Sequence, residues 1–478
     1  MINSHLTNLM ALMLLSDLLI LISLFLVLIG TFVLRNIRQG VLMGLLIFAI
    51  SRFFVGSFDY LPFLSGLVIA FELFLLIVGA LVFYNFLAAQ GHFTFIDSLL
   101  QAVPSRLTLV LILGTFLGSF FEGIAGFGIP AMLIAPLLVR AGISTFSAIL
   151  ISLSANIGAV TFGALGTPLK LALGIYSPND TVHYVLLFNA LPIFWLPTLI
   201  AFLVQKSERM EIVWRQEWKR LLGAGLCFVL PYTAAGLYSV EFPSVVAGAA
   251  GLILFVFFFV KNKALSARFW GQAFYPYLLF IVLLLLGRHF LQGYSIFLGE
   301  GLRPLSLYQP GLLFLLAAAC YLLLQKHPKS VRPVLKETLW SVRLPMLTIV
   351  LLVSYTQLVR GELASLVGQG IALLPEIAQK VALPVAGVCG AFITGSATMS
   401  NLLLMNIAQE SAVWALPVAL ALLHTGSALG NMIALQNIVM VKSALQAENS
   451  EREVIRFSLL TLGAYLLLVL LSVWIVLL

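Results

Sequence analysis

The chain is a succession of long apolar runs separated by short polar breaks, about fourteen runs in all. A helix that crosses the hydrocarbon of a bilayer needs roughly 20 apolar residues, and these runs are of that order. No segment between them is long or polar enough to form a separate soluble domain. The pattern predicts an all-α polytopic membrane protein. Composition agrees: 62% of the residues are hydrophobic and 9% are charged, against about 25% charged in a soluble domain.

The polar breaks carry the Lys and Arg residues, and cytoplasmic loops attract such residues. Arg35 and Arg38 follow the first run. KSERMEIVWRQEWKR occupies 206–220, KNKALSAR 261–268 and QKHPKSVRPVLKE 325–337, with Arg452 and Arg456 in the last loop. If all five loops are cytoplasmic, the chain must cross an even number of times between neighbours. That condition holds if 106–140 and 381–410 are re-entrant hairpins that return to their own side. It predicts about 12 full spans plus 2 hairpins, with both termini outside. No Lys or Arg precedes the first run, so that run reads as a span rather than a signal peptide.

The net charge of +8 adds nothing that the loops do not explain. No basic stripe with interleaved aromatics suggests nucleic acid. Cys227, Cys320 and Cys389 lie far apart in apolar runs, match no metal spacing and read as buried small hydrophobes.

The two halves match at an offset of 272 residues. GSFFEGIA (118–125) lies over GAFITGSA (390–397), so Gly118 falls on Gly390, Gly123 on Gly395 and Ala125 on Ala397. Gly158 falls on Gly430 and Lys170 on Lys442 without a gap. The charge-derived topology gives the halves opposite orientations, the inverted-repeat plan of many secondary transporters. The expected organisation is a first repeat over 1–205, linking helices over 206–268 and a second repeat over 269–478. The first repeat carries a hairpin near 106–140 and a broken helix near 144–175. The second carries a hairpin near 381–410 and a broken helix near 412–442.

A backbone break at membrane depth is tolerated only where protein or a wet cavity satisfies the freed groups. Helix N-termini at such breaks present unpaired N–H groups and partial positive charge, which suit a small carboxylate. The first tip, EGIAGFGIPA (122–131), offers Gly123, Gly126, Phe127 and Gly128; its broken helix offers Asn156 and Thr161. The second tip, TGSATMSN (394–401), offers Gly395, Ser396, Thr398, Ser400 and Asn401; its broken helix offers Gln436. These are the candidate substrate-binding residues. Glu122, deep in an apolar run beside a tip, is the candidate for proton coupling, and His424 is a second. Glu72 reads as structurally partnered. Lys170 and Lys442 read as snorkelling to the interface.

EGIAGFGIPAMLIAPLLVRAGIS followed by SANIGAVTFGALGTP resembles the L-lactate permease family, as do GAFITGSATMSNLLL and, more loosely, GNMIALQNI. The resemblance covers roughly 105–205 and 340–445. It carries over Glu122, Gly126, Gly128, Asn156, Gly395, Ser396, Ser400, Asn401, Met432 and Gln436. It implies uptake of lactate, glycolate and similar 2-hydroxy monocarboxylates with protons. Through a wider transporter superfamily it implies elevator-like movement in a bacterial inner membrane and assembly as a homodimer. The chain departs from the family pattern in three places that bear on substrate and coupling ion. Ala397 stands where an acid is usual, Asn431 where Lys is usual, and Ala434–Leu435 where Ser-Pro is usual. The expected function is proton-coupled symport of a small organic monocarboxylate, with no cofactor beyond the coupling ion. A sodium-coupled carrier of another organic anion is the alternative, and a channel a more distant one. No metal motif or nucleophile turn suggests an enzyme.

Overall fold

The computed structural model describes residues 15, 18–27, 29–30, 37–55, 59–92, 94–103, 105–126, 128–172, 178–260, 267–291, 293–302, 304–325, 331–411, 413–445, 447 and 451–477. Arg35, Phe127 and the loop residues 261–266 and 326–330 lie outside them. The described residues are overwhelmingly helical, with one short antiparallel strand pair, Ser295–Ile296 on Leu305–Ser306. Among them, ten helices are long and apolar enough to cross a membrane, or eleven if one bent pair is a single span. Two of the ten, Arg106–Ile124 and Glu376–Thr394, fall in the expected hairpins. The first apolar run contributes the shorter helix Leu18–Val27. The protein is a multi-pass membrane protein, and Leu467 and Trp474 on the last helix turn outward, as a lipid-facing surface does.

The chain divides into two compact units. The first comprises Met1–Gln90, Pro276–Leu374 and Leu402–Glu410. In lipid, apolar surface gives no drive for helices to associate, so close packing and a few polar bonds must hold them. Gly79 and Gly311 supply the close packing here. A β-carbon at Gly79 would lie 2.1 Å from the Gly311 carbonyl oxygen, so the helices Leu61–Ala89 and Pro310–Leu323 meet backbone to backbone. Phe280 stacks on Phe314 with centroids 3.8 Å apart, and Phe83 packs beside both. Among the described residues, polar bonds cross between elements of this unit. Ser23 meets Tyr355 at 2.8 Å, Asn85 donates to Thr338 at 2.8 Å, and Gln309 donates to Glu72 at 3.4 Å. The last gives Glu72 the structural partner expected of it.

The second unit comprises Gly91–Tyr275, Pro375–Asn401 and Ser411–Leu478. It contains both expected tips and both expected broken helices. The helices Trp214–Tyr238 and Pro243–Val260, read from sequence as links between halves, are packed into it. A β-carbon at Gly248 would lie 2.4 Å from the Phe120 amide nitrogen, and Phe116 packs against Phe228 and Phe255. On the other side, Glu376–Thr394 and Leu416–Gly430 are held close by three glycines. β-Carbons at Gly387, Gly426 and Gly430 would meet the carbonyl oxygens of Leu423, Pro384 and Val388 at 2.2, 1.9 and 2.3 Å. Cys227 is buried as expected, whereas Cys320 is half-buried and Cys389 exposed; the last two depart from the sequence reading because helix runs in lipid put apolar residues on the outside as well.

Candidate functional site

The first tip begins with the helix Arg106–Ile124, which is buried from Leu107 onward. Ser105 caps its start by accepting from the Thr108 amide at 3.4 Å, and residues 111–117 are π-helical. The chain then turns through Gly126 (φ 59°) and Gly128 (φ 78°), a region that costs an L side chain about 1–2 kcal/mol. It returns as Ile129–Arg140, opened by Pro130 at its first turn. The two arms come back to one place. A β-carbon at Gly142 would lie 3.5 Å from the Arg106 guanidinium, and Arg140 pairs with Asp97.

The first broken helix consists of Thr145–Val160 and Gly163–Lys170, bent by 56°. Beyond the break, Ala164, Leu165 and Gly166 are all left-handed (φ 43°, 56° and 72°). Two of these are not glycine, so the turn stores strain, of order 1–3 kcal/mol per residue, that its surroundings must hold. A β-carbon at Gly126 would lie 2.7 Å from the Ala164 β-carbon, and one at Gly166 would lie 2.3 Å from the Val240 carbonyl. The turn is thus clamped between the first tip and the loop before Pro243.

Glu122 sits where tip and break meet. It is 4% exposed. The Asn156 amide donates to its Oε2 at 3.5 Å, and a β-carbon at Gly163 would stand 2.9 Å from its Oε1. The glycine at 163 is therefore what leaves room for the carboxyl. Thr161 turns inward, donating to the Gly158 carbonyl at 2.6 Å.

The second tip ends the helix Glu376–Thr394 at Gly395, a left-handed C-cap (φ 75°). Its missing side chain leaves space for Gln436, whose Oε1 would lie 2.5 Å from a β-carbon there. The Ser396 hydroxyl caps the next helix, accepting from the Met399 amide at 3.5 Å. Thr398 is buried beside it. Ser400 donates to the Gly387 carbonyl at 3.1 Å and meets Ser427 at 2.8 Å. The second broken helix is interrupted between Gly430 and Leu435, where Asn437 donates to the Asn431 carbonyl at 2.8 Å. At the offset of 272 found in the sequence, the first break, at Thr161 and Phe162, falls on Ile433 and Ala434 inside the second.

Asn401 and His424 join the two broken helices. The Asn401 amide donates to the Pro168 carbonyl at 2.9 Å and to His424 Nδ1 at 2.7 Å. His424 Nε2 donates to the Thr161 carbonyl at 2.9 Å. Gly128 approaches the second broken helix, where a β-carbon would lie 2.6 Å from the Met440 methyl and 3.1 Å from Asn437 Oδ1. Glu122 and Asn156 thus form one bonded pair and Thr161, Asn401 and His424 a second bonded group, with Asn156 and Thr161 both on the first broken helix, and Gly128 and Gly395 lie against the second break. Gly123 faces elsewhere: a β-carbon there would lie 2.6 Å from the Val245 amide nitrogen, a close approach of helices. Lys170 pairs with Glu241 and Lys442 with Glu451, so both lysines have carboxylate partners rather than only the interface.

The profile of the L-lactate permease family matches residues 10–274 and 302–478. The chain belongs to that family. It is 25% identical over 419 residues to a putative L-lactate permease of Haemophilus influenzae, covering 76% of this chain and 78% of the relative. It is 29% identical over 364 residues to the L-lactate permease of Streptococcus iniae, covering 69% and 75%. A glycolate permease of Escherichia coli is 30% identical over 179 residues, covering 37% of this chain and 31% of the relative.

This permease has site residues that the sequence did not single out. Tyr232 contacts the Gly158 carbonyl at 3.2 Å and the Thr161 hydroxyl at 3.1 Å. Ser244 donates to the Ala159 carbonyl at 2.7 Å. Asn189 donates to Thr425 at 2.9 Å and accepts from Tyr465 at 3.0 Å. Asn189 is a lone polar residue in an apolar run, and a polar residue at membrane depth was a signal that could have marked it, though not its partners. Ala397, where the resemblance leads one to expect an acid, is 3% exposed and packs with Val160 and Ala428. That apolar contact has no place for a charge.

Proposed function

We propose that this permease is a secondary active transporter that carries a small organic monocarboxylate, such as L-lactate or glycolate, in symport with protons. Relatives named for L-lactate and for glycolate support the substrate class. The observation that carries the coupling is Glu122. It is an ionisable group placed where the first tip, the first break and Asn156 meet. A carboxyl there can change its charge without leaving the site. The N–H groups that open the helices after Gly128, Phe162, Gly395 and Ala434 suit the substrate carboxylate. Gly126, Gly128, Ser396 and Gln436 line those starts. Thr161, Thr398, Ser400 and Asn401 hold the breaks in register.

The two tips are taken as re-entrant hairpins within inverted repeats. The return of the first tip to Arg106 and the coincidence of the breaks at one offset support that reading. These site residues all lie within the second compact unit, so they can travel together in an elevator-type alternation. The termini are then outside, and the protein resides in a bacterial inner membrane as a homodimer.

The test is uptake of labelled L-lactate into liposomes holding the purified protein, under an acid-outside gradient without sodium. The wild type should accumulate the label, and Glu122→Gln should abolish accumulation. Uptake driven only by a sodium gradient would replace the proton with sodium. Accumulation unchanged in Glu122→Gln would remove Glu122 from the coupling path.

A further inference from the structure

A buried hydroxyl on a membrane helix ordinarily bonds back to its own backbone. This protein follows that habit at Ser152, Thr356, Thr394 and Ser427, which donate to carbonyls three or four residues earlier. Thr115 and Ser119 do not. They are 1% and 0% exposed, and neither hydroxyl has a partner within the protein. Both lie in or just after the π-helical stretch Leu111–Leu117, where the Gly118 amide bonds five residues back to Leu113.

A third orphan lies beside them. Asn156 Oδ1 is buried without a partner and would stand 2.8 Å from a β-carbon on Gly118. The amide nitrogen of the same side chain reaches Glu122. Thr115, Ser119 and Glu122 follow one another at spacings of four and three, so they share one face of the arm. Two hydroxyls on one face of the arm and the amide oxygen of Asn156 opposite Gly118 are buried without partners near a carboxyl, and buried polar atoms of this kind ordinarily bind ordered water.

We propose that Thr115, Ser119 and Asn156 hold ordered water that passes protons to and from Glu122 along that face of the arm. The proposal rests on the reading of Glu122 as the coupling group and names the route by which it is served. Each hydroxyl donates one hydrogen bond and accepts another, so a proton handed in on one side leaves on the other with no net change. The Glu122 carboxyl loses its proton to the first water and becomes a carboxylate; the last water releases one proton. Other ionisable groups on the neighbouring elements are otherwise engaged. Arg140 pairs with Asp97 and Lys170 with Glu241; His424 binds Asn401 and Thr161, and Tyr232 binds Thr161.

The experiment uses the full chain in liposomes and reads two modes of transport. Net uptake under an acid-outside gradient requires a proton to be taken up and released in each cycle. Exchange of labelled for unlabelled L-lactate at equal pH does not. The double variant Thr115→Val, Ser119→Ala should slow net uptake about tenfold or more, as loss of a proton-transfer group does, and leave exchange at the wild-type rate. Thr115→Ser, which keeps the hydroxyl, should retain net uptake. Net uptake at the wild-type rate in the double variant would overturn the proposal. So would an equal fall in both modes, which would mark the hydroxyls as packing groups. A wild type that ignores the pH gradient would instead overturn the proton reading of the site itself.

Discussion

His424 is fully buried, and both of its ring nitrogens are bound. The Pro168 carbonyl fixes Asn401 Nδ2 as a donor, so His424 Nδ1 accepts and Nε2–H donates to Thr161. A second proton on Nδ1 would face an amide NH2 group. In this arrangement the ring bridges the two broken helices, and we propose that it acts as a strut and leaves proton coupling to Glu122. Glutamine offers one donor and one acceptor at a similar reach. His424→Gln should therefore keep pH-driven uptake and the shape of its pH profile. His424→Ala leaves buried partners unsatisfied and should cost about 1–3 kcal/mol of stability, read as a lower melting temperature in detergent. A flattened pH profile in His424→Gln would contradict the strut. Gly128 makes a second residue-level test with Gly91 as its control. Both are left-handed, but Gly91 has nothing within 4 Å of its would-be β-carbon, whereas Gly128 faces Met440 and Asn437. Alanine at either should cost about 1–2 kcal/mol of backbone strain. Only Gly128→Ala should also depress transport.

At the level of elements, the helices of the second tip and second broken span depend on glycine contacts. Gly426 sits against the Pro384 carbonyl, while Gly463 on the last helix has open space. Gly463→Ala should raise stability by up to about 1 kcal/mol through helix propensity. Gly426→Ala must push two backbones apart and should lower both stability and transport; equal melting temperatures for the two variants would contradict this packing. These elements were unevenly legible in the sequence. Gly126, Gly128 and Gly395 announced turns because glycine is the residue that adopts positive φ freely, and all three do so. The break after Val160 was visible from polar and small residues in an apolar run. Its left-handed continuation through Ala164 and Leu165 was not, because neither residue favours that region. Long-range packing against Gly126 and Val240 holds it there. Tyr232 and Asn189 were missed for the same reason. Their partners are 71 and 236 residues away, and no local pattern encodes such distances.

For the whole molecule, composition and basic loops were enough to read a polytopic membrane protein, and the motifs were enough to read the family. The packing of Trp214–Tyr238 and Pro243–Val260 onto the first tip and break was not readable, since apolar helices in lipid look alike whether they link halves or build a site. One compact unit takes 1–90, 276–374 and 402–410, and the other 91–275, 375–401 and 411–478, so residues 402–410 of the expected second hairpin fall outside the unit that holds its tip. The central claim is that substrate and proton move together. The most direct measurement is the internal pH of liposomes containing the protein and a trapped pH-sensitive dye, after L-lactate is added outside with no initial pH gradient and no sodium. Proton symport should acidify the interior in a protein-dependent way, and the signal should disappear in Glu122→Gln. Labelled lactate entering without protein-dependent acidification would contradict it.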